Sequence, residues 1–216
     1  MASSSSTGAD SIYRNIEQVK AYFDSRPSLY GDTHLAVDWG SQHSQYARFY
    51  ALNRLTPLQG CSLLDVGCGM GHLLDWLNAH AVNLNYYEGI DITPSMVLAA
   101  RRRHPDARFQ ECNLLDGGRP ELKSYDVVFA SGIFYLAVNE PYLFLATMLE
   151  HLFALSKHVL VFNLLITTEK TSPDPSEFRA ELNKLLSIAS GLSPYYCLDH
   201  SYHNADATLA IYRDPQ

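Results

Sequence analysis

An apolar run from Cys61 to Val66 ends in Gly67-Cys68-Gly69-Met70-Gly71, with glycine at three alternate positions. A strand that breaks into such a turn lets backbone amides come close to a ligand with no Cβ in the way. Asp91 closes a second apolar stretch, Tyr86-Tyr87-Glu88-Gly89-Ile90, 24 positions beyond Gly67. A nucleotide-binding βαβ unit presents a carboxylate to ribose hydroxyls at about that distance. Together the turn and the acid predict a nucleoside-containing cofactor. A dinucleotide loop reads G-x-G-x-x-G because a pyrophosphate must sit on its helix N-terminus. Here the pattern is G-x-G-x-G, with His72 where the third dinucleotide glycine would fall and Asp65 two residues before Gly67. A carboxylate there is unsuited to a diphosphate and suited to an amino-acid tail that carries an ammonium.

The elements needed to position these groups follow from Cys61 onward, where short apolar runs alternate with helical spacing. Strands are expected over 61–66, 85–91, 107–112, 125–130 and 157–164, and helices over 71–81, 94–104 and 140–155. The alternation implies βαβ units on a parallel sheet covered on both faces. Thr93-Pro94 supplies a helix N-cap with proline at the first helical position, so the helix after Asp91 starts where the site requires it. A further helix is expected from Asp174 to about Ser190. Tyr195–His200 and Ala207–Tyr212 read as a terminal antiparallel hairpin around His203-Asn204-Ala205-Asp206. Upstream, helical spacing covers Ser11–Phe23 and Gln42–Leu55, with a turn-rich loop over Arg26–His34 that would fold over a ligand. The segment 167–173 is the best candidate for a mobile loop. The expected fold is thus α/β, a Rossmann-like doubly wound, seven-stranded mixed sheet in three layers, parallel apart from a C-terminal antiparallel hairpin.

With 216 residues, 47% apolar and 18% charged, the chain is long enough for one sizeable core. It divides into a flexible Ser-rich tail (1–10) and a single domain (11–216), with an N-terminal helical cap over 11–58 and the Rossmann-like core over 59–216. No apolar run approaches the roughly 18–20 residues that span a bilayer, and the start lacks the basic and apolar regions of a signal peptide. A cytoplasmic protein with no membrane partner is expected. Cys61, Cys68, Cys112 and Cys197 form no CxxC pair and read as buried reduced thiols. A net charge of −7 argues against a phosphate backbone as partner. The one basic run, Arg101-Arg102-Arg103, belongs at a helix C-terminus. The histidines occur singly, so no metal site is expected.

With its glycine turn in place, the chain resembles the class I S-adenosylmethionine-dependent methyltransferases from about Trp39 to the C-terminus. Leu64–Gly71 looks like their first motif, Glu88–Met96 like their second, Arg108–Leu114 like their third and Tyr125–Gly132 like their fourth. The resemblance implies that Asp65, Gly67, Cys68 and Gly69 cradle the methionine portion and that Asp91 binds both ribose hydroxyls. Ile92 and Met96 would flank the adenine, Asn113 and the Leu114 backbone would meet its edge, and Ser131 would lie beside the methionine tail. Most relatives carry Asp where Asn113 stands; here the amide oxygen would pair with the adenine amino group. The upstream stretch from Tyr30 to Phe49 is similar to a group of small bacterial methyltransferases. In that comparison Trp39 and Arg48 close the cofactor pocket, the guanidinium reaching the methionine carboxylate.

Methyl transfer needs a nucleophile in line with the sulfonium bond, and much of the rate can come from positioning in a site closed to water. The fourth strand exits into Ser131-Gly132-Ile133-Phe134-Tyr135, without the Asn/Asp-Pro-Pro-aromatic signature of DNA amino-group enzymes. A small-molecule acceptor, methylated at nitrogen or oxygen, is therefore expected, with no nucleic-acid partner. Candidate catalytic residues are Tyr30, Tyr135 and His200; His34, Asn163, Tyr202 and His203 stand near the same loops. Two rivals are a nicotinamide-dependent oxidoreductase on a similar sheet, which the loop spacing disfavours, and a cofactor-binding scaffold without turnover.

Overall fold

A computed structural model describes residues 8–116, 124–169, 172 and 174–216. Seven strands form one sheet in the order β3-β2-β1-β4-β5-β7-β6. They are β1 (Ser62–Val66), β2 (Tyr86–Asp91), β3 (Arg108–Glu111), β4 (Tyr125–Ala130), β5 (Ser156–Leu165), β6 (Tyr196–Asp199) and β7 (Asp206–Tyr212). The first five are parallel, and β7 runs antiparallel to both β5 and β6. The strand order reverses between β1 and β4, so their C-terminal ends diverge and leave a crevice, the usual ligand site of an open α/β sheet.

Two apolar cores fill the space on either face. One gathers Leu64, Val128, Leu160 and Leu209 under α6 (Pro141–Leu155) and α7 (Leu182–Leu192), with Ile16 of α1 (Gly8–Asp24) reaching in at the crevice end. The other packs Leu63, Phe129, Val161 and Ala210 against Phe49 of α3 (Gln42–Leu55), Trp76 of α4 (His72–Ala79) and Val97 of α5 (Pro94–Arg103). Alternate residues of each strand therefore serve opposite layers, as the pleat requires. Among the described residues no helix is long and apolar enough to cross a membrane.

Several boundaries differ from expectation for physical reasons. The first helix begins at Gly8, inside the stretch expected as a tail, while residues 1–7 lie outside the described residues. Arg26–Tyr30, expected as loop, forms a short helix, α2, that opens with Pro27 in its first turn. Pro94 starts α5 as expected, but the Thr93 side chain makes no cap bond. The helix expected from Asp174 begins only at Leu182. Asp174 instead folds an Asx turn, accepting from the Ser176 backbone and hydroxyl at 2.8 and 2.7 Å. The next residues give their backbone to neighbouring chain, Phe178 N to Tyr135 O at 2.7 Å and Ala180 N to Leu165 O at 2.9 Å. Part of the loop expected to be mobile, at residues 170, 171 and 173, lies outside the described residues. All four cysteines are free; Cys68 and Cys112 are buried, whereas Cys197, expected inside, is exposed and Cys61 is partly so.

Candidate functional site

At the end of β1 the chain turns sharply, with Gly67 N and Cys68 N donating to Ile90 O of β2 at 2.8 and 3.0 Å. Gly67 and Gly69 have φ of +71° and +52°, left-handed values that glycine adopts without a Cβ penalty. Both are also hemmed in: a Cβ on Gly67 would lie 2.2 Å from Ile133 Cγ2, and one on Gly69 2.7 Å from Val37 Cγ1. Glycine is demanded here twice, by backbone and by space. Asp91, at the tip of β2, is fixed by the same turn. Its Oδ2 accepts from Gly69 N at 2.9 Å and its Oδ1 from Thr93 N at 2.8 Å. Burial pushes its pKa above the ordinary value, opposed by these backbone donors.

These groups open into a cavity of about 130 Å³ at the crevice between β1 and β4. Eleven of the expected cofactor residues line it: Trp39, Asp65, Gly67, Cys68, Gly69, Asp91, Ile92, Met96, Asn113, Leu114 and Ser131. Asp65 lies in its floor, 4% exposed, and accepts from Tyr87 OH at 2.7 Å. Burial raises its pKa to about 7, the Tyr87 hydrogen bond working the other way. Asn113 Oδ1 accepts from Leu115 N at 3.0 Å, in an Asx turn, and a second lone pair on that oxygen stays available for the pairing expected of it. The Ser131 hydroxyl is buried without a partner among the described residues, and Trp39 packs on Gly132 beside it, where a Cβ would fall 2.9 Å from the indole.

Arg48, expected to reach into this cavity, does not line it. It is 2% exposed and paired with Asp206 of β7 at 2.7 Å, and its Nη1 donates to Ser44 O and Oγ, both at 2.6 Å. The guanidinium packs on the Trp39 ring from behind, 4.6 Å from its centroid, and so supports the wall. Of the three candidate catalytic residues only Tyr135 lines the cavity. Its hydroxyl donates to Asp38, and burial with that bond raises its pKa, so it is a fixed phenol donor and no base. Tyr30 is exposed on α2, where Arg26 stacks on it, and His200 is exposed on the hairpin with Nδ1 donating to Asp206 O at 2.7 Å. Neither reaches the cavity. Asn163 stands behind the wall, its Oδ1 accepting from Gly132 N at 2.9 Å.

The cavity also holds residues that sequence patterns did not single out. Ile16, Val19 and Phe23 of α1 form its roof. Their helical spacing was legible, but nothing local tells which layer an amphipathic helix covers. Gln45 and His72 face each other across one wall, Gln45 Nε2 donating to His72 Nδ1 at 3.1 Å. Burial and the nearby Arg103 lower the His72 pKa, so the ring is neutral with its proton on Nε2. The arrangement is a largely apolar cleft lined by the Asp91 carboxylate, a second buried acid, Asp65, before the glycine turn and the Ser131 hydroxyl.

Residues 64–154 match a protein family described as a methyltransferase domain. A stretch of 106 residues, 47% of this chain, is 32% identical to a tRNA U34 carboxymethyltransferase of Aeromonas hydrophila, covering 31% of that protein. Another of 120 residues, half of this chain, is 28% identical to a small RNA 2′-O-methyltransferase of Arabidopsis thaliana, covering 12% of it. The chain thus spans well under half the length of these curated relatives. Among solved structures, magnesium protoporphyrin IX methyltransferase from Synechocystis with bound SAH superposes with a TM-score of 0.65 at 18% identity, over 93% of this chain and 100% of that one. A DhpI–SAM–HEP complex superposes with a TM-score of 0.69 at 14% identity, over 97% and 100%.

Proposed function

We propose that the chain, which matches a methyltransferase-domain family over residues 64–154 and shares the fold of solved methyltransferases holding SAM or SAH, transfers a methyl group from S-adenosylmethionine to nitrogen or oxygen of a small-molecule acceptor. The observation that carries this reading is the Asp91 carboxylate, aimed by Gly69 N and Thr93 N beside a turn in which two glycines admit no Cβ. The unpartnered Ser131 hydroxyl supports it, since a buried polar atom without a bond implies a ligand group that supplies one. These residues fit S-adenosylmethionine, which when bound supplies an electrophilic methyl group on a sulfonium.

Asp91 would accept from the ribose hydroxyls, as a carboxylate is the best acceptor for a pair of donors. Asp65 would face the ammonium of the amino-acid tail. Ile92, Met96 and Leu114 would hold the adenine by apolar contact, with Asn113 at its edge. The roof of Ile16, Val19 and Phe23 keeps water from the reacting atoms. With Tyr135 committed to Asp38, the chain's contribution is positioning and exclusion of water, which suits an acceptor that arrives as a neutral amine or an acidic hydroxyl. Calorimetric titration tests the reading: S-adenosylhomocysteine should bind and NAD should not. Asp91→Ala should weaken that binding by a factor of ten or more, and unchanged affinity would remove Asp91 from the site.

The relatives named for tRNA and small RNA favour a second reading, an RNA acceptor. A net charge of −7 stands against it, because RNA affinity draws mainly on cationic contacts to phosphate. Incubation with labelled S-adenosylmethionine and either bulk tRNA or a panel of amines, phenols and carboxylic acids separates the two; label in the tRNA would overturn the small-molecule reading.

A further inference from the structure

Five buried side-chain polar atoms lack a partner among the described residues, and four of them lie at the C-terminal ends of β4 and β5: Ser131 Oγ, Asn163 Nδ2, and Nε and Nη1 of Arg179. A guanidinium is the most demanding of these. Arg179 is four-fifths buried, and only its Nη2 is engaged, by the Glu177 carboxylate. The backbone that carries it is fixed. Glu177 bridges Leu136 in the β4 exit and Ala180 bridges Ile166 beyond β5, so Arg179 is held between the exits of β4 and β5, and Leu136 on the β4 side lines the cofactor cleft. The opposite side of the Ile166 segment is occupied by the hairpin turn, through Ile166 N to Ala205 O at 2.9 Å. His203 in that turn accepts from Ala205 N on Nδ1 at 3.2 Å, which leaves Nε2–H as its donor when the ring is neutral.

We propose that Arg179 and His203 form an oxyanion subsite for the acceptor, so that the molecule methylated here carries a carboxylate or phosphate-type group remote from its reacting atom. The inference rests on the methyltransferase reading and specifies its substrate class. A buried guanidinium with unmet donors is stabilised most by an anion, and a neutral imidazole N–H complements it. The charged and titratable groups around His203 are Arg48 of α3, Arg179, Asp206 of β7 and His200 of the turn. Burial, the two arginines and His200 lower its pKa and Asp206 raises it. An anion seated beside it would shift that balance upward, which gives the subsite a signature independent of turnover.

The test uses the full chain saturated with S-adenosylhomocysteine, titrated with benzoate, phenyl phosphate and the neutral benzamide, while the His203 ring resonance is followed by NMR against pH. Benzoate or phenyl phosphate should bind at least tenfold more tightly than benzamide and raise the His203 midpoint. The better of the two anions identifies the group. Arg179→Gln should lose at least tenfold of the anion affinity and keep S-adenosylhomocysteine affinity within twofold, and Arg179→Lys should retain part of it. Equal binding of benzamide, an unmoved His203 midpoint or an unaffected Arg179→Gln would overturn the subsite. The comparison of the three ligands on the wild-type chain decides even if Arg179→Gln does not fold. Failure of S-adenosylhomocysteine to bind would instead strike the methyltransferase reading, and the anion titration would still read Arg179.

Discussion

Asp65 is a carboxylate kept from water with one phenol for company, and its chemistry follows from that. Its pKa rises from 3.8 to about 7, so between those values the folded chain holds a proton that the unfolded chain has released. The stability this contributes is complete below pH 4 and is lost as pH rises through 7. Asp65→Asn keeps an acceptor for Tyr87 and removes the titration. Its melting temperature should therefore gain on wild type from pH 5 to pH 8, and a constant difference would place the raised pKa elsewhere. A ligand ammonium beside Asp65 favours the ionised form, so cofactor binding near pH 6.5 should release protons. Calorimetry of S-adenosylhomocysteine binding in phosphate and in Tris reads this directly, as heats that differ with the ionisation enthalpy of the buffer. The acid before the glycines was visible in the sequence because it stands two residues from the turn, although the Tyr87 that bonds it lies 22 positions on. The bond from Leu115 N to Asn113 was equally close yet illegible, since nothing in the local sequence marks an amide that closes its own turn.

Among the elements, α3 and β7 are tied by Arg48 and Asp206, side chains 97% and 96% buried and 158 positions apart. No pattern in either segment announces the other, which is why the arginine was expected in the cofactor cleft. Removing one partner of a buried pair leaves a charge uncompensated, at a cost of about 3–5 kcal/mol. Arg48→Met should lower the unfolding free energy by that amount in urea, whereas the same substitution combined with Asp206→Leu should recover much of it. A loss under about 1 kcal/mol for the single change would mean the pair is not buried as described. The late segment teaches a related lesson. Asp174-Pro175-Ser176-Glu177 has the composition of a helix start, but Ser176 O accepts from Ala137 N, and the Phe178 and Ala180 backbone that follows is bonded to Tyr135, Leu165 and Thr167, so tertiary pairing overrides local preference. The strands and the helices between them were legible because their period and their burial agree.

At the scale of the molecule, the N-terminal elements are fastened to the sheet at a few polar points. Asn15 of α1 exchanges two bonds with the Asn139 backbone, at 2.8 and 3.0 Å. Asp38, in a left-handed conformation at φ +60°, accepts from Tyr22 and Tyr135 and pairs with Arg26. Roof, short helix and β4 exit thus meet on one carboxylate. Asp38→Ala should loosen the roof without unfolding the sheet: hydrogen exchange should speed up in α1 and α2, stay unchanged in β1, β4 and β5, and cofactor affinity should fall. The hairpin bears on the whole molecule differently. β7 is buried at every residue and pairs with β5 over seven positions, Val159 to Leu165, while β6 pairs as a strand only with β7 among the described residues. A chain cut before Cys197 would leave β5 as a bare edge of seven mostly apolar residues, a template for recruiting strands from other molecules. Such a fragment should self-associate in light scattering at micromolar concentration where the full chain does not, so a premature stop ahead of β7 would turn the product toward aggregation.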